Sequence, residues 1–196
     1  FAQMEVSSQA LKYGRVKNMK LDVGIFLNIS EDHISPIEHP DFEDYFASKL
    51  LMFKQTRYAV VNKDADFAER IIEAAKECER TITFSTQDSQ ADVYGYELEK
   101  DGHETVFRVK TEEFDEEFRL TMPGLFNVEN ALAVIGAAML LHIPVPYMKS
   151  GLYRARSKGR MELYSSEDKQ RIAIVDFAHN KLSYEKLFSS TKDEYP

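Results

Sequence analysis

Short apolar runs alternate with amphipathic segments in the first half of the chain. The runs at 21–29, 57–62 and 81–86 have the length of buried strands. Residues 41–54 and 64–79 instead repeat apolar positions every three or four residues, as amphipathic helices do. Strands that alternate with helices favour parallel pairing, because each helix carries the chain back across the sheet. This half therefore predicts an α/β fold in which a parallel sheet is flanked by helices.

The pattern changes its period in the second half. Segments 92–99, 104–111 and 116–123 alternate polar and apolar residues and are separated by turn-forming residues, which predicts a small antiparallel β-meander. An alanine-rich apolar helix is predicted at 124–142, and a shorter helix begins near Pro146.

A polar stretch near residue 157 predicts a domain boundary. Strand patterns return in "GRMELY" and "RIAIVDF", and the following "SYEKLFSST" is again helical. The preceding "YRARSK" has the composition of a linker. We therefore predict one domain at 1–157 and the first part of a second α/β domain at 158–196. The abrupt ends of the sequence suggest a piece excised from a longer protein.

Composition narrows the class of protein. The hydrophobic content of 43% is enough to fill a core, and the net charge of -8 opposes broad contact with nucleic acid or anionic membranes. Cys78 is the only cysteine, so no disulfide or thiolate metal site can form within the chain. No apolar run reaches the roughly 20 residues that span a bilayer. We expect a cytoplasmic protein without nucleic-acid or membrane partners.

Lys49 occupies an unexpected position in the predicted helix at 41–54. It shares one helical face with four aromatic residues, namely Phe42, Tyr45, Phe46 and Phe53. In one interpretation its stem packs while the ammonium reaches water. In the other, burial favours the neutral amine, which takes up carbon dioxide and becomes a carbamate with two oxygens for a hard cation. The residue spacing alone leaves both interpretations open.

Glu5 and His33 also fall where ligands of open α/β sheets bind. Glu5 lies in the strand-to-loop segment "QMEVSS", and His33 follows the predicted strand 21–29. A carboxylate and an imidazole suit a divalent cation, although magnesium prefers oxygen ligands. Taken alone, a histidine after a strand is more often an ordinary loop residue.

Six motifs occur in the order and approximate spacing found in the Mur ligases: "MEVSSQALKYGRV", "FLNISEDH", "ASKLLMF", "MPGLFNVENALA", "GRME" and "IVDFAHN". The chain therefore resembles that family, and is most similar to its UDP-N-acetylmuramoyl-tripeptide synthetase (MurE-type) branch. The resemblance implies that 1–157 is the central, ATP-binding domain and that 158–196 begins the C-terminal domain. No G-x-x-x-x-G-K-[ST] run occurs, so the central domain is expected to lack its N-terminal phosphate loop.

The same resemblance implies a metal site and a substrate site. Glu5 and His33 would bind Mg²⁺, and Lys49 would be the carbamylated lysine that completes the catalytic site. Ser7 and Arg15 would face the UDP-sugar peptide, with the arginine offering a fork to an anionic group.

An ATP site is also implied by the resemblance. Five residues would contact the nucleotide: Asn127, Asn130, Arg160, Asp176 and His179. Without the resemblance, the two asparagines fit helix capping or polar packing equally well. Gln9 stands where histidine is usual, "SKGRME" lacks a usual proline, and "DFAHNKLS" replaces the usual "DYAHTPDS".

The implied activity is ATP-dependent amide ligation in peptidoglycan synthesis. The carboxylate of UDP-MurNAc-dipeptide attacks the γ-phosphate, and the amine of L-lysine or diaminopimelate then displaces phosphate from the acyl phosphate. We expect a monomer that needs ATP and Mg²⁺, and an inactive chain in the absence of the phosphate loop. The alternatives are a folylpolyglutamate synthase-like or cyanophycin synthetase-like ligase and a non-catalytic Mur-fold binding partner. A binuclear metallohydrolase fits poorly, because the histidines form no H-x-H pair.

Overall fold

The computed structural model describes residues 2–31, 34–101, 104–122, 124, 126–168, 170–179 and 181–194. Within these ranges the helices are α1 Ser8–Lys12, α2 Phe42–Leu50, α3 Ala68–Ala75, α4 Phe126–Leu140, α5 Val145–Arg154 and α6 Lys181–Glu194, and a 3₁₀ helix at Leu51–Gln55 follows α2. The strands are β1 Leu21–Phe26, β2 Thr56–Asn62, β3 Arg80–Ser85, β4 Val93–Asp101, β5 Glu104–Lys110, β6 Asp115–Leu120, β7 Glu162–Ser165 and β8 Ile172–Val175.

The first six strands form one mixed sheet in the order β1-β2-β3-β4-β5-β6. The pairs β1–β2 and β2–β3 are parallel, as the alternation of strands and helices predicts. The predicted meander is present as β4, β5 and β6, which pair antiparallel. It continues the main sheet, because β4 also pairs in parallel with the end of β3. The predicted fold class is therefore confirmed.

Helices cover both faces of the parallel strands. On β2, Val60 points into a core built with α4 and α5, whereas Ala59 and Val61 point into a second core with α2 and α3. Glycines permit the close approach of α4. A methyl group added at Gly136 would lie 3.1 Å from a methyl carbon of Val60. The small residues of α4 thus let this helix lie directly on the sheet.

Two predicted elements are wrong in their extent or type. The helix expected at 64–79 covers only Ala68–Ala75, and it starts late because Phe67 has a left-handed backbone (φ 60°) immediately before it. The segment "QMEVSS", expected to run from a strand into a loop, contains no strand, because residues 2–7 have no regular structure and lead into α1. Ser7 caps that helix.

The strands β7 and β8 form a separate antiparallel sheet, with Glu162 opposite Val175 and Ser165 opposite Ile172. The helix α6 follows. The domain boundary at residue 157 stays a prediction. In the part of the chain covered by the structure, no helix is both long and apolar enough to cross a membrane.

Candidate active site

The segment that carries Glu5 and Ser7 enters a short helix. Glu5 is exposed to solvent, and the Ser7 hydroxyl oxygen accepts a hydrogen bond from the Ala10 N–H at 3.2 Å. This is the ordinary arrangement of a helix N-cap. The Ser7 hydroxyl hydrogen can still donate, since a serine hydroxyl both donates and accepts.

Next to this segment lies a network of polar side chains, two of which, Ser8 and His39, are buried. The His39 ring is fully buried (0% exposed), and its Nε2 lies 2.9 Å from Ser8 Oγ. Its Nδ1 lies 2.6 Å from Asp44 Oδ2, and the same carboxylate oxygen accepts from Lys12 Nζ at 2.6 Å. One imidazole therefore joins α1, the 34–40 loop and α2. The Lys12 ammonium and the His39 ring hold the pKa of Asp44 below its usual value.

The 34–40 loop has further bonds to α1. Lys12 Nζ donates to the Glu38 carbonyl at 3.3 Å, and Gln9 Nε2 donates to the Glu38 carboxylate at 3.4 Å. Within the loop, the Ser35 N–H donates to the His39 carbonyl at 3.0 Å. Gln9 thus takes part in loop anchoring at the position where histidine is usual.

Lys49 lies in the last turn of α2, whose first turn is capped by Asp41 through the Asp44 N–H at 2.8 Å. The Lys49 side chain is partly buried, and its Nζ lies 5.2 Å from the centroid of the Tyr45 ring, within cation–π range. Lys49 therefore shares a helical face with Tyr45, as the spacing predicts. The Tyr45 ring also packs 5.3 Å from the His39 ring.

The predicted metal ligands are only partly covered by the structure. Glu5 and Lys49 lie in the described ranges, whereas His33 lies outside them. Among the described residues, no three histidine, cysteine, aspartate or glutamate side chains are grouped so that they could hold a metal ion. The set of Glu5, His33 and carbamylated Lys49 stays a prediction.

Arg15, the predicted substrate contact, follows α1 and is exposed. The Arg15 guanidinium lies 5.9 Å from the Tyr13 ring centroid, and the backbone N–H of Arg15 donates to the Ala10 carbonyl at 2.8 Å. The side chain is therefore presented at the surface just beyond α1.

The two predicted adenine contacts lie in the first turns of α4. Asn130 Nδ2 donates to Asn127 Oδ1 at 3.3 Å, and the Asn127 N–H donates to the Gly124 carbonyl at 3.0 Å. Asn130 is exposed and Asn127 is partly buried. The two amides therefore form a pair at one end of α4.

The other three predicted nucleotide contacts meet around Phe177. The Arg160 guanidinium lies 5.0 Å from the Phe177 ring centroid, and the His179 ring lies 4.9 Å from it. Asp176 accepts from the Met161 N–H and the Ala178 N–H, both at 2.8 Å. The structure therefore brings Arg160, Asp176 and His179 near one another, and their contact with a nucleotide stays a prediction.

The sequence analysis missed the network of Ser8, Lys12, His39 and Asp44. A usable signal was present: His39 stands two residues before the helix-capping Asp41 and five before an acidic residue in the first turn of α2. Its bond to Ser8 spans 31 residues, so no local pattern indicates it.

The structure combines an α/β fold around a largely parallel sheet with polar clusters at α1 and α2, at the start of α4 and beside β7 and β8. The Mur ligase middle domain model matches residues 1–138, and the chain belongs to this family. The predicted family is confirmed.

Relatives match almost the whole chain. It is 39% identical to a UDP-N-acetylmuramyl-tripeptide synthetase of Lactococcus lactis subsp. cremoris, over 98% of this chain and 38% of that protein. It is 37% identical to a UDP-N-acetylmuramoyl-L-alanyl-D-glutamate--L-lysine ligase of Streptococcus mutans (97% and 37%), and 34% identical to the corresponding 2,6-diaminopimelate ligase of Trichormus variabilis (100% and 40%). The chain therefore spans about two-fifths of the length of these relatives.

Solved structures share the fold. A UDP-N-acetylmuramoyl-L-alanyl-D-glutamate--2,6-diaminopimelate ligase superposes with a TM-score of 0.80 at 24% identity, over 95% of this chain and 39% of that one. MurF from Acinetobacter baumannii superposes with a TM-score of 0.76 at 24% identity, over 87% and 37%.

Proposed function

We propose that this chain is the central part of an ATP-dependent amide ligase of peptidoglycan precursor synthesis. The ligase would add L-lysine or diaminopimelate to UDP-MurNAc-dipeptide through an acyl phosphate. The family match over residues 1–138 carries the proposal, and relatives named for this reaction align with nearly the whole chain. We further propose that the protein works as a monomer in the cytoplasm.

Glu5, His33 and the carbamate of Lys49 would hold Mg²⁺. Carboxylate and carbamate oxygens are hard ligands, which suits this ion, and the partly buried place of Lys49 favours conversion of its ammonium into an anion near a cation. Bound Mg²⁺ would neutralise the charge that develops during phosphoryl transfer. The contribution of the chain is to place the three ligands and to present the substrate carboxylate to the phosphate.

Arg15 and Ser7 would bind the UDP-sugar peptide. Arg15 offers an exposed guanidinium fork, which pairs well with a carboxylate or phosphate. The Ser7 hydroxyl can donate a hydrogen bond while its oxygen caps α1. Ser7 lies before α1 on the segment that carries Glu5, whereas Arg15 follows α1, so the substrate would be contacted from both ends of this short helix.

Asn127 and Asn130 would contact the adenine, and Arg160, Asp176 and His179 would contact the rest of the nucleotide. The amide pair in α4 offers donors and acceptors at a partly exposed surface. Arg160 offers the positive charge that a phosphate requires, while the Phe177 ring holds its guanidinium in place.

The test is a ligation assay on the full-length protein with ATP, Mg²⁺ and UDP-MurNAc-dipeptide. We expect ADP release and a tripeptide product with L-lysine or diaminopimelate, and measurement with each amino acid alone decides between them. The isolated 196-residue chain should release no ADP. Turnover of a folate substrate or of a cyanophycin primer would replace the proposal with one of those ligases. Nucleotide binding without any turnover would favour a non-catalytic partner.

A further inference from the structure

We propose that His39 is a positioning residue, which holds α1 against α2 through a neutral imidazole with its proton on Nδ1. Nδ1–H would donate to Asp44 and Nε2 would accept from the Ser8 hydroxyl. The register between the Glu5–Ser7 segment and Lys49 would then depend on this ring together with the Lys12–Asp44 ion pair. The kinetic part of the inference rests on the proposed ligase function, whereas the hydrogen-bond assignment does not.

The assignment follows from the partners. A carboxylate only accepts hydrogen bonds, so the Nδ1 that lies 2.6 Å from Asp44 must carry a proton. A serine hydroxyl can donate, which lets Nε2 act as the acceptor at 2.9 Å. The partly exposed Lys12 already compensates the charge of Asp44, and a cation on the fully buried His39 ring would be costly.

Ser8, His39 and Asp44 follow the order of a nucleophilic triad, but burial excludes that role. Ser8 is only 5% exposed and the ring of His39 is 0% exposed. A serine nucleophile must reach a substrate carbonyl, whereas this hydroxyl faces the interior. The arrangement therefore serves to fix position.

Contacts connect His39 to the proposed catalytic residues on two sides. Ser8 directly follows Ser7 and lies three residues from Glu5. On the other side, the His39 ring packs against Tyr45, whose ring centroid lies 5.2 Å from Lys49 Nζ. Loss of the ring would leave Asp44 without one partner and would remove the support of Tyr45. A displacement of about 1 Å at reacting groups can cost on the order of 100-fold in rate.

The kinetic test uses the full-length ligase with two variants. His39→Asn keeps an N–H near Asp44 but loses the hydrogen bond with the Ser8 hydroxyl. Ser8→Ala removes that same hydrogen bond by deleting the hydroxyl. We expect kcat to fall about 10-fold or more in both variants, with the KM for ATP little changed. His142→Asn is the matched control, because His142 is exposed and has a left-handed backbone (φ 55°) that asparagine tolerates. Wild-type kcat in Ser8→Ala would overturn the inference, even where His39→Asn fails to fold.

Two further measurements separate positioning from stability. Ile71→Val shortens a fully buried side chain of the core that also contains Tyr45, and it should lower the melting temperature without lowering kcat. An equal kcat loss in Ile71→Val would refute a special role of His39. Histidine ¹⁵N NMR of the full-length protein should show His39 protonated on Nδ1 only, and a proton on Nε2 would refute the assignment. If the wild type proves not to be a ligase, the NMR result still decides the tautomer.

Discussion

Phe46 gives the sharpest test of how α2 is held in place. Its ring is fully buried and lies 6.5 Å from Phe26, 5.8 Å from Phe42 and 5.5 Å from Phe67, measured between ring centroids. The Arg70 guanidinium lies 4.6 Å from the Phe46 centroid. Replacement of Phe46 by alanine would open a cavity beneath the helix that carries Lys49.

The expected cost follows from burial. Buried phenylalanine to alanine changes cost about 3–5 kcal/mol of unfolding free energy. We expect the upper half of that range, because the edge-to-face contact with Phe26 and the cation–π contact with Arg70 are lost too. Phe67→Ala is the matched control. Phe67 is 48% exposed, so about half of its burial energy is absent from the start, and we expect a loss of about 1 kcal/mol.

The Phe67→Ala control also leaves the backbone strain unchanged. Phe67 has φ 60°, and alanine at that position has the same unfavourable left-handed conformation, so the backbone strain cancels between wild type and variant. The measurement is urea unfolding followed by circular dichroism, with the m-value checked for constancy. If Phe46→Ala costs no more than Phe67→Ala, the aromatic face of α2 is not a core face and the argument for the inward position of Lys49 fails with it.

Three further predictions address single side chains. In the full-length enzyme, Lys49→Ala should abolish ligation, and a short carboxylate added in solution should partly restore it. Lys49→Arg should stay inactive, because guanidinium cannot take up carbon dioxide. Full activity of Lys49→Arg would show that the Lys49 side chain only packs at the surface. Ser7→Ala should lower stability in urea by about 1 kcal/mol while Ser7→Asn keeps the cap, and an equal loss in both would show that the cap is unimportant. The hydroxyl of Tyr96 and the guanidinium of Arg108 hold the pKa of Asp115 below its usual value, so its stabilising effect is complete above about pH 3.9 and is lost as the pH falls through the lower folded pKa. Asp115→Asn should therefore flatten the acid limb of a plot of urea midpoint against pH, and an unchanged limb would contradict the assignment.

The parallel strands were predictable because burial on both faces leaves a continuous apolar run. In β2, Ala59, Val60 and Val61 are all fully buried although they alternate between two cores. The start of α3 was not predictable in the same way. Phenylalanine rarely adopts φ 60°, so nothing at Phe67 signals a helix boundary. There tertiary packing of the ring on Phe42 and Phe46 overrides local preference.

The candidate site, like the fold, was predictable from the sequence only in part. Spacing along one helix placed Lys49 on the face of Tyr45, because residues four apart on a helix are neighbours. Spacing could indicate only the contact of His39 with Asp44, five residues away, because its other partner, Ser8, comes from α1. The periodicity of apolar residues shows which side chains of one helix or strand face the core. It does not report which polar groups from separate elements meet there.

Phe177 departs from the usual motif, and its ring contacts two of the predicted nucleotide ligands. It stands where tyrosine is usual, and its ring still lies within 5.0 Å of the Arg160 guanidinium and 4.9 Å of the His179 ring. Only the hydroxyl is lost, since stacking depends on the ring. Asp176 anchors this group, because its two carboxylate oxygens accept the N–H groups of Met161 and Ala178. A carboxylate has about four lone-pair sites, so Asp176 can hold both backbone segments and still accept a hydrogen bond from a nucleotide.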